Sequence, residues 1–277
     1  MSPPHRHNGD HRSAPHEGSP VTPPGTLLLV PNTLDLGGEA VPLQAVLPLA
    51  VIQRAAALTH WVVEDARSAR AFLKRVDAVA PLAQALQTLH ITELPRPRKG
   101  SGETVASAEW ARLLAPALQG HDIGLLSEAG LPAVADPGAL LVAAAHAQGI
   151  AVLPLPGASS LLMALAASGL NGQSFAFVGY LPQDPAQRVA RIKELEGHAR
   201  RLGQTQLVIE TPYRNQALLG ALVNTLQAQT QLAVSCGLTM AGGWNRSDSV
   251  GGWRKQPLTM PDRLPAVFSI LAQAPAG

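Results

Sequence analysis

The chain has 277 residues, 46% hydrophobic, 14% charged and 4% aromatic, and a net charge of +2. That is enough apolar material for one large domain or two, and an interior rich in Ala and Leu but poor in aromatics suits helices packed on a sheet better than a β-sandwich. The near-neutral balance permits an acidic partner such as nucleic acid without demanding one, while the single cysteine, Cys236, excludes an internal disulfide or cysteine-based metal cluster and fits a reducing cytoplasm.

Residues 1–25 are rich in His, Pro, Ser and Gly and are expected to form a disordered tail, with a second short tail at 273–277. His5, His7, His11 and His16 read as solvated, because nothing holds their rings around a metal, and no metal site is expected. The amino terminus lacks the apolar core of a signal peptide, and no apolar run reaches the roughly 20 residues of a membrane span. From residue 26 the pattern alternates. TLLLVP (26–31) reads as a strand, 41–57 as a helix, HWVVE (60–64) as a strand, 68–76 as a helix and 89–93 as a weaker strand. LPRPRKGSG (94–102) is a loop, followed by a helix at 104–118, a strand at 121–126, a helix at 139–148 and a strand at 151–155. This βα alternation predicts an α/β protein with a mostly parallel sheet covered on both faces.

A second block follows Gly157: helix 158–168, strand SFAFVGY (174–180), charged helix 186–202, strand QLVIE (206–210), helix 214–227, and strands near 232–239, 244–251 and 266–271. Strand content rises here, so a mixed sheet is expected. Two α/β domains, 26–156 and 157–272, with a ligand cleft between them, are the simplest arrangement.

The segment LLSEAGLPAVADPG (125–138) joins a strand end to a helix through two turns. Gly130 and Gly138 permit backbone angles that a side chain would forbid, while Pro132 and Pro137 stiffen the loop. Ligands of open α/β sheets bind at that edge. Three further turns follow expected strands: Val30-Pro31-Asn32-Thr33, Gly179-Tyr180-Leu181-Pro182 and Glu210-Thr211-Pro212-Tyr213-Arg214. No Gly-x-Gly-x-x-Gly fingerprint is present, which counts against a standard dinucleotide fold.

Taken in order, VEDARSAR (63–70), LLSEAGLPAVADPG (125–138), VLPLPGASSLLMALAASGLNGQSFAFVGYLP (152–182) and LVIETPYRN (207–215) resemble the tetrapyrrole methylase family of S-adenosylmethionine-dependent methyltransferases. They are most similar to its ribosomal RNA small subunit methyltransferase I branch, which methylates the 2′-oxygen of a cytidine. The resemblance implies two α/β domains with the donor, S-adenosylmethionine, in the cleft between them, a cytoplasmic homodimer, and ribosomal RNA as the acceptor. It assigns donor contacts to Pro31, to Gly130, Leu131, Pro132, Ala133 and Asp136, to Ser159 and Ser160, to Tyr180, Leu181 and Pro182, and to Thr211, Pro212 and Tyr213. A tetrapyrrole or other small acceptor, and a non-catalytic module that only binds the donor, are the alternatives.

Removing the proton of a ribose hydroxyl calls for a base, and Glu64, Asp65 and Glu128 stand at expected strand ends where they could face the cleft, as does Glu210. Such acids also cap helices and pair with arginine. The sequence departs from the family where Pro31 is followed by NTLDLGG rather than the usual Thr-Pro-Ile-Gly-Asn-Leu. It departs again at Ser235 to Met240, which lacks a charged pair. RNA contact has support from Arg96, Arg98 and Lys99 in one loop and from Arg188, Arg191, Lys193, Arg200 and Arg201 on one helix, although the interspersed Glu194 and Glu196 favour a solvated face. Trp244 and Trp253, near Arg246 and Arg254, could stack on bases, but core burial is the simpler expectation.

Overall fold

A computed structural model describes residues 23–35, 41–95 and 106–272; most of the first expected tail, the second tail, and Arg96, Arg98 and Lys99 lie outside the described residues. The first half runs β1 (Leu27–Val30), α1 (Leu49–Ala56), β2 (His60–Val63), α2 (Ala66–Asp77), β3 (His90–Glu93), α3 (Ser107–Leu113), α4 (Ala115–Leu118), β4 (Ile123–Leu126), α5 (Gly138–Ala147) and β5 (Val152–Pro154). Its five strands are all parallel, in the order β3-β2-β4-β1-β5. Successive residues of the short strands point to opposite faces. Leu28, Val30, Trp61 and Val63 join a core with Ile52, Phe72 and Leu73 of α1 and α2. Leu27, Val62, Ile123 and Leu125 join one with Trp110, Leu114 and Leu141 on the other side. Burial on both faces explains why these strands read as continuous apolar runs. Gly124 pairs with Trp61, and a Cβ there would lie 2.6 Å from the indole, so the missing side chain makes room for the ring.

The second half runs α6 (Ser160–Ser168), β6 (Phe175–Phe177), α7 (Pro185–Leu202), β7 (Thr205–Glu210), α8 (Asn215–Thr225), β8 (Gln231–Cys236), β9 (Trp244–Ser249), α9 (Val250–Lys255) and β10 (Ala266–Leu271). The sheet order is β6-β7-β10-β8-β9; β6 and β7 are parallel and the remaining pairs antiparallel. Val208, Phe268, Trp253 and Leu222 centre its core. No helix among the described residues is long and apolar enough to cross a membrane.

The helices start where the sequence supplies caps. Asp65 Oδ1 accepts from Ser68 N–H at the start of α2, and Asp184 caps α7, which stops at Gly203 in the left-handed region. Three expected elements are corrected. The helix expected at 41–57 is a short 3₁₀ turn, Leu43–Ala45, followed by α1, because Pro48 cannot donate within a continuous helix. The helix expected at 104–118 breaks at Leu114, since Pro116 lacks the N–H that would continue α3. The strand expected at 244–251 ends at Ser249, whose Oγ accepts from Gly252 N–H and starts α9.

Candidate functional site

Register decides which loops meet. Val30 and Val63 both pair with Leu126, so the segments leaving β1, β2 and β4 depart from one edge of the first sheet. Ala266 pairs with both Glu210 and Cys236, which brings the end of β7, the start of β10 and the end of β8 together in the second. The two edges bound a cleft of about 410 Å³, lined from the first half by Leu34, Glu64, Ser127, Glu128 and Asp136 and from the second by Ser160, Tyr180, Glu210, Thr211 and Pro212.

The 125–138 segment is a stiff wall. Gly130, Ala133 and Ala135 all have φ near +65°, at 67°, 66° and 65°. For an alanine that region costs roughly 1 kcal/mol or more, so the surroundings must hold it. Asp136 Oδ1 does so by accepting from Ala133 N–H at 3.0 Å and Gly138 N–H at 2.7 Å. Burial pushes the Asp136 carboxyl above its usual range, and those two N–H groups pull the other way. The first loop is stitched to this wall: Asn32 Nδ2 donates to Ser127 O at 2.9 Å and Glu128 O at 3.1 Å, and Asn32 N–H donates to Gly130 O at 2.8 Å. Behind it, a Cβ at Gly157 would lie 2.3 Å from Pro31 Cβ, so only glycine lets the chain entering α6 approach this closely.

The candidate residues separate by position. Glu64 and Glu128 line the cleft, and Glu64 Oε2 accepts from Glu128 N–H at 3.1 Å. Asp65 is not among the cleft-lining side chains; it caps α2. Asp136, Ser160, Tyr180, Thr211 and Pro212 face the cleft, while Gly130, Leu131 and Ser159 line a small adjoining recess of about 60 Å³. Ser159 Oγ also caps α6. The others lie outside both spaces. Pro31 packs on Gly157, Pro132 is buried, Ala133 gives its N–H to Asp136, Leu181 is buried in the core of the second half, Pro182 O accepts from Arg188 Nε, and Tyr213 is 74% exposed beside Arg214. Glu210 reaches the cleft, but its Oε1 accepts from Arg214 Nε at 3.0 Å, Arg214 Nη2 at 2.6 Å and Thr211 N–H at 2.7 Å.

Sequence reading missed Leu34, Ser235, Pro265 and Val267, which complete the cleft. The last two lie at the far end of the chain, and only β10 pairing between β7 and β8 delivers them. The aromatic expectation resolves as core: Trp253 is buried, its Nε1–H donates to Leu232 O at 2.8 Å, and Arg246 covers its ring at 4.0 Å. Trp244 packs against the same core, and Arg254 donates to Val223 O and Leu226 O at the end of α8.

An α/β scaffold whose two strand edges enclose a cleft of backbone, hydroxyl and carboxylate groups has the form in which small-molecule sites commonly occur. The family profile for Tetrapyrrole (Corrin/Porphyrin) Methylases matches residues 49–250, and the chain belongs to that family. It is 39% identical over 128 residues to ribosomal RNA small subunit methyltransferase I of Mesorhizobium japonicum, covering 46% of this chain and 42% of that one. It is 35% identical over 169 residues to the protein of the same name from Bacillus subtilis, covering 60% of this chain and 56% of that one. The alignments therefore span about half the length of these relatives. The fold is similar to a conserved hypothetical protein of Aeropyrum pernix K1, at 20% identity and a TM-score of 0.53 over 91% of this chain and 86% of that one. It is also similar to the methyltransferase CobJ, at 18% identity and a TM-score of 0.52 over 89% of this chain and 94% of that one.

Proposed function

We propose that the protein is a cytoplasmic homodimer that transfers a methyl group from S-adenosylmethionine to the ribose 2′-oxygen of a cytidine in small-subunit ribosomal RNA. The observation that carries this reading is the cleft itself, whose volume of about 410 Å³ falls in the roughly 300–1,000 Å³ range of small-molecule sites. Its residues suit the donor. Among the described residues every charged side chain lining it is acidic, Glu64, Glu128, Asp136 and Glu210, which complements a sulfonium cation, and Ser160, Tyr180 and Thr211 add hydroxyls. Gly130, Leu131 and Ser159 would hold the part of the donor that enters the adjoining recess. When bound, S-adenosylmethionine supplies a methyl carbon activated by its positive sulfur. Division into domains 26–156 and 157–272 follows the two sheets, each with its own core.

Glu128 takes the proton of the acceptor hydroxyl. It is exposed at the strand end and lines the cleft, whereas Glu64 holds the Glu128 backbone in place through its N–H. Asp65 serves the α2 terminus instead. The relatives' names favour ribosomal RNA over a tetrapyrrole acceptor. The outer face of α6, with Leu162, Met163, Ala166 and Ala167 exposed, is apolar and is the surface a second copy would cover.

Adding S-adenosylhomocysteine to the isolated protein is expected to raise Tm, since ligand at 100 times its Kd stabilises by about 2.7 kcal/mol. No shift removes donor binding. Small-subunit ribosomal RNA from a strain lacking the protein is expected to lack one cytidine 2′-O-methyl group, and an unchanged map removes the RNA acceptor. Sedimentation at a single 28.9 kDa chain would remove the dimer.

A further inference from the structure

We propose that the outer face of α2 binds the phosphate backbone of the RNA acceptor, and that the pocket beside it, next to the donor cleft, receives a nucleotide; this rests on the methyl-transfer reading above. Helix α2 turns Ala69, Phe72, Leu73 and Val76 inward and leaves Arg67, Arg70 and Lys74 exposed. The i, i+3, i+7 spacing puts these cations on one face over about 10 Å of helix. Among the described residues none of the three forms a salt bridge. Three carboxylates lie at the helix ends and are engaged, with Asp65 capping it, Glu93 Oε1 accepting from Ala66 N–H at 2.8 Å and Asp77 Oδ1 accepting from Leu82 N–H at 3.0 Å, while Asp35 and Glu128 line the neighbouring face, where Asp35 pairs with Arg75.

On α2 only Arg70 of the three donates within the helix, to Ala66 O at 3.2 Å, whereas helix α7, which exposes Lys193 and Arg201, engages its other three arginines. Arg188 donates to Pro182 O and Gln183 O, Arg191 pairs with Glu194 at 2.7 Å, and Arg200 lies 4.0 Å from Glu196. An acidic cleft repels a polyanion, so phosphates need cations outside it. The α2 stripe is placed for that.

The neighbouring face of α2, through Ser68, Ala71, Phe72 and Arg75, lines a pocket of about 230 Å³ closed by Asn32, Thr33, Asp35 and Glu128. Arg75 is a fixed wall, held by Asp35 Oδ2 at 3.1 Å, Thr33 Oγ1 at 3.2 Å and Val41 O at 2.6 Å. Hydroxyls, an amide, a guanidinium and the carboxylates of Asp35 and Glu128 around an aromatic edge suit the donors and acceptors of a nucleobase with its attached ribose, the phosphates staying outside on the α2 stripe. Glu128 lines both this pocket and the donor cleft, so an occupant meets the carboxylate that would take its proton.

The test uses the full chain and a fluorescein-labelled single-stranded RNA 20-mer, followed by anisotropy at several salt concentrations. R67E/R70E/K74E is expected to weaken binding at least ten-fold and to flatten the salt dependence by about 2, the slope of three lost phosphate contacts. R67Q/R70Q/K74Q, which keeps helix-forming side chains, is expected to show the same direction with a smaller loss, and K193E/R201E on α7 to stay within about two-fold of wild type. A71W, which fills the pocket, is expected to keep RNA affinity while tritium transfer from labelled S-adenosylmethionine to small-subunit ribosomal RNA falls more than ten-fold. RNA affinity unchanged in both α2 triples, or lowered as much by the α7 pair, overturns the backbone site; normal transfer by A71W overturns the nucleotide pocket. Failure of the methyl-transfer reading appears separately, as absent stabilisation of wild type by S-adenosylhomocysteine.

Discussion

In the parallel first sheet, Glu64 and Glu128 leave neighbouring strand ends and line the cleft, linked by one hydrogen bond from Glu128 N–H to Glu64. In the mixed second sheet, Glu210 stands at an equivalent edge, yet its carboxylate accepts two guanidinium hydrogen bonds from Arg214 on the next turn of chain. Both edges present acids to the same space. Under the proposed reading the first half supplies the carboxylate that takes the proton, while Glu210 in the second is held by Arg214 and fixes a wall of the cleft.

The largest expected effect is on Glu128. Replacing it with Gln removes the proton acceptor and is expected to lower turnover roughly 10²- to 10⁴-fold, with the Tm rise on adding S-adenosylhomocysteine intact. Turnover within a few-fold of wild type would place the base elsewhere. Next comes Glu210→Ala, which leaves a half-buried guanidinium without its partner and is expected to cost about 2–3 kcal/mol in urea unfolding. E210A/R214L should recover part of that loss; if it does not, Glu210 acts through something other than the pair.

A smaller effect is expected for Asp65→Ala. Loss of its bond to Ser68 N–H should cost about 1 kcal/mol, with turnover unchanged once the variant is folded. A turnover loss matching that of E128Q would return Asp65 to the chemistry and erase the contrast between capping and cleft-facing acids.

The smallest effect is at the opposite edge of the first sheet, where the His60 ring stacks between those of His90 and His121, each centroid 4.7 Å away. Burial, then the charges of His121 and His90, lower the His60 pKa below the usual imidazole value near 6.5. The unfolded chain therefore binds this proton more readily than the native state. Stability should be fully present above pH 6.5, decline as pH falls below it, and level off beneath the lowered native value. Urea midpoints between pH 5 and 8 check this, and His60→Asn should flatten the curve.

Much of the fold was readable from local pattern. The runs 26–31, 60–64 and 266–271 contain β1, β2 and β10, because burial on both faces leaves these strands mostly apolar, with His60 and the buried Ser269 as the polar residues within them. Three boundaries failed at Pro48, Pro116 and Ser249, where one missing donor or one capping hydroxyl outweighed the surrounding propensity, and the strands expected at 174–180 and 232–239 stop early at Phe177 and Cys236, ahead of Gly179 and Gly237 with positive φ. At the site, the turns holding Gly130, Ser160 and Thr211 were legible because glycine, proline and hydroxyl residues mark strand ends by themselves. Leu181 and Tyr213 were not separable from them. Neighbouring residues of one turn point to core, cleft or solvent according to packing that the turn does not encode.

The α/β alternation, the capped helices and the motifs of the tetrapyrrole methylase family are written in the chain order, since each depends on residues a few positions apart. Folding in three dimensions is what sets which acids face the cleft, that Ser235, Pro265 and Val267 complete it, and that α2 exposes Arg67, Arg70 and Lys74 while α7 leaves Lys193 and Arg201 exposed and its other arginines half-buried. The reason is physical: whether a charge is available or already committed depends on what approaches it, and strand pairing and helix packing bring those partners from distant parts of the chain.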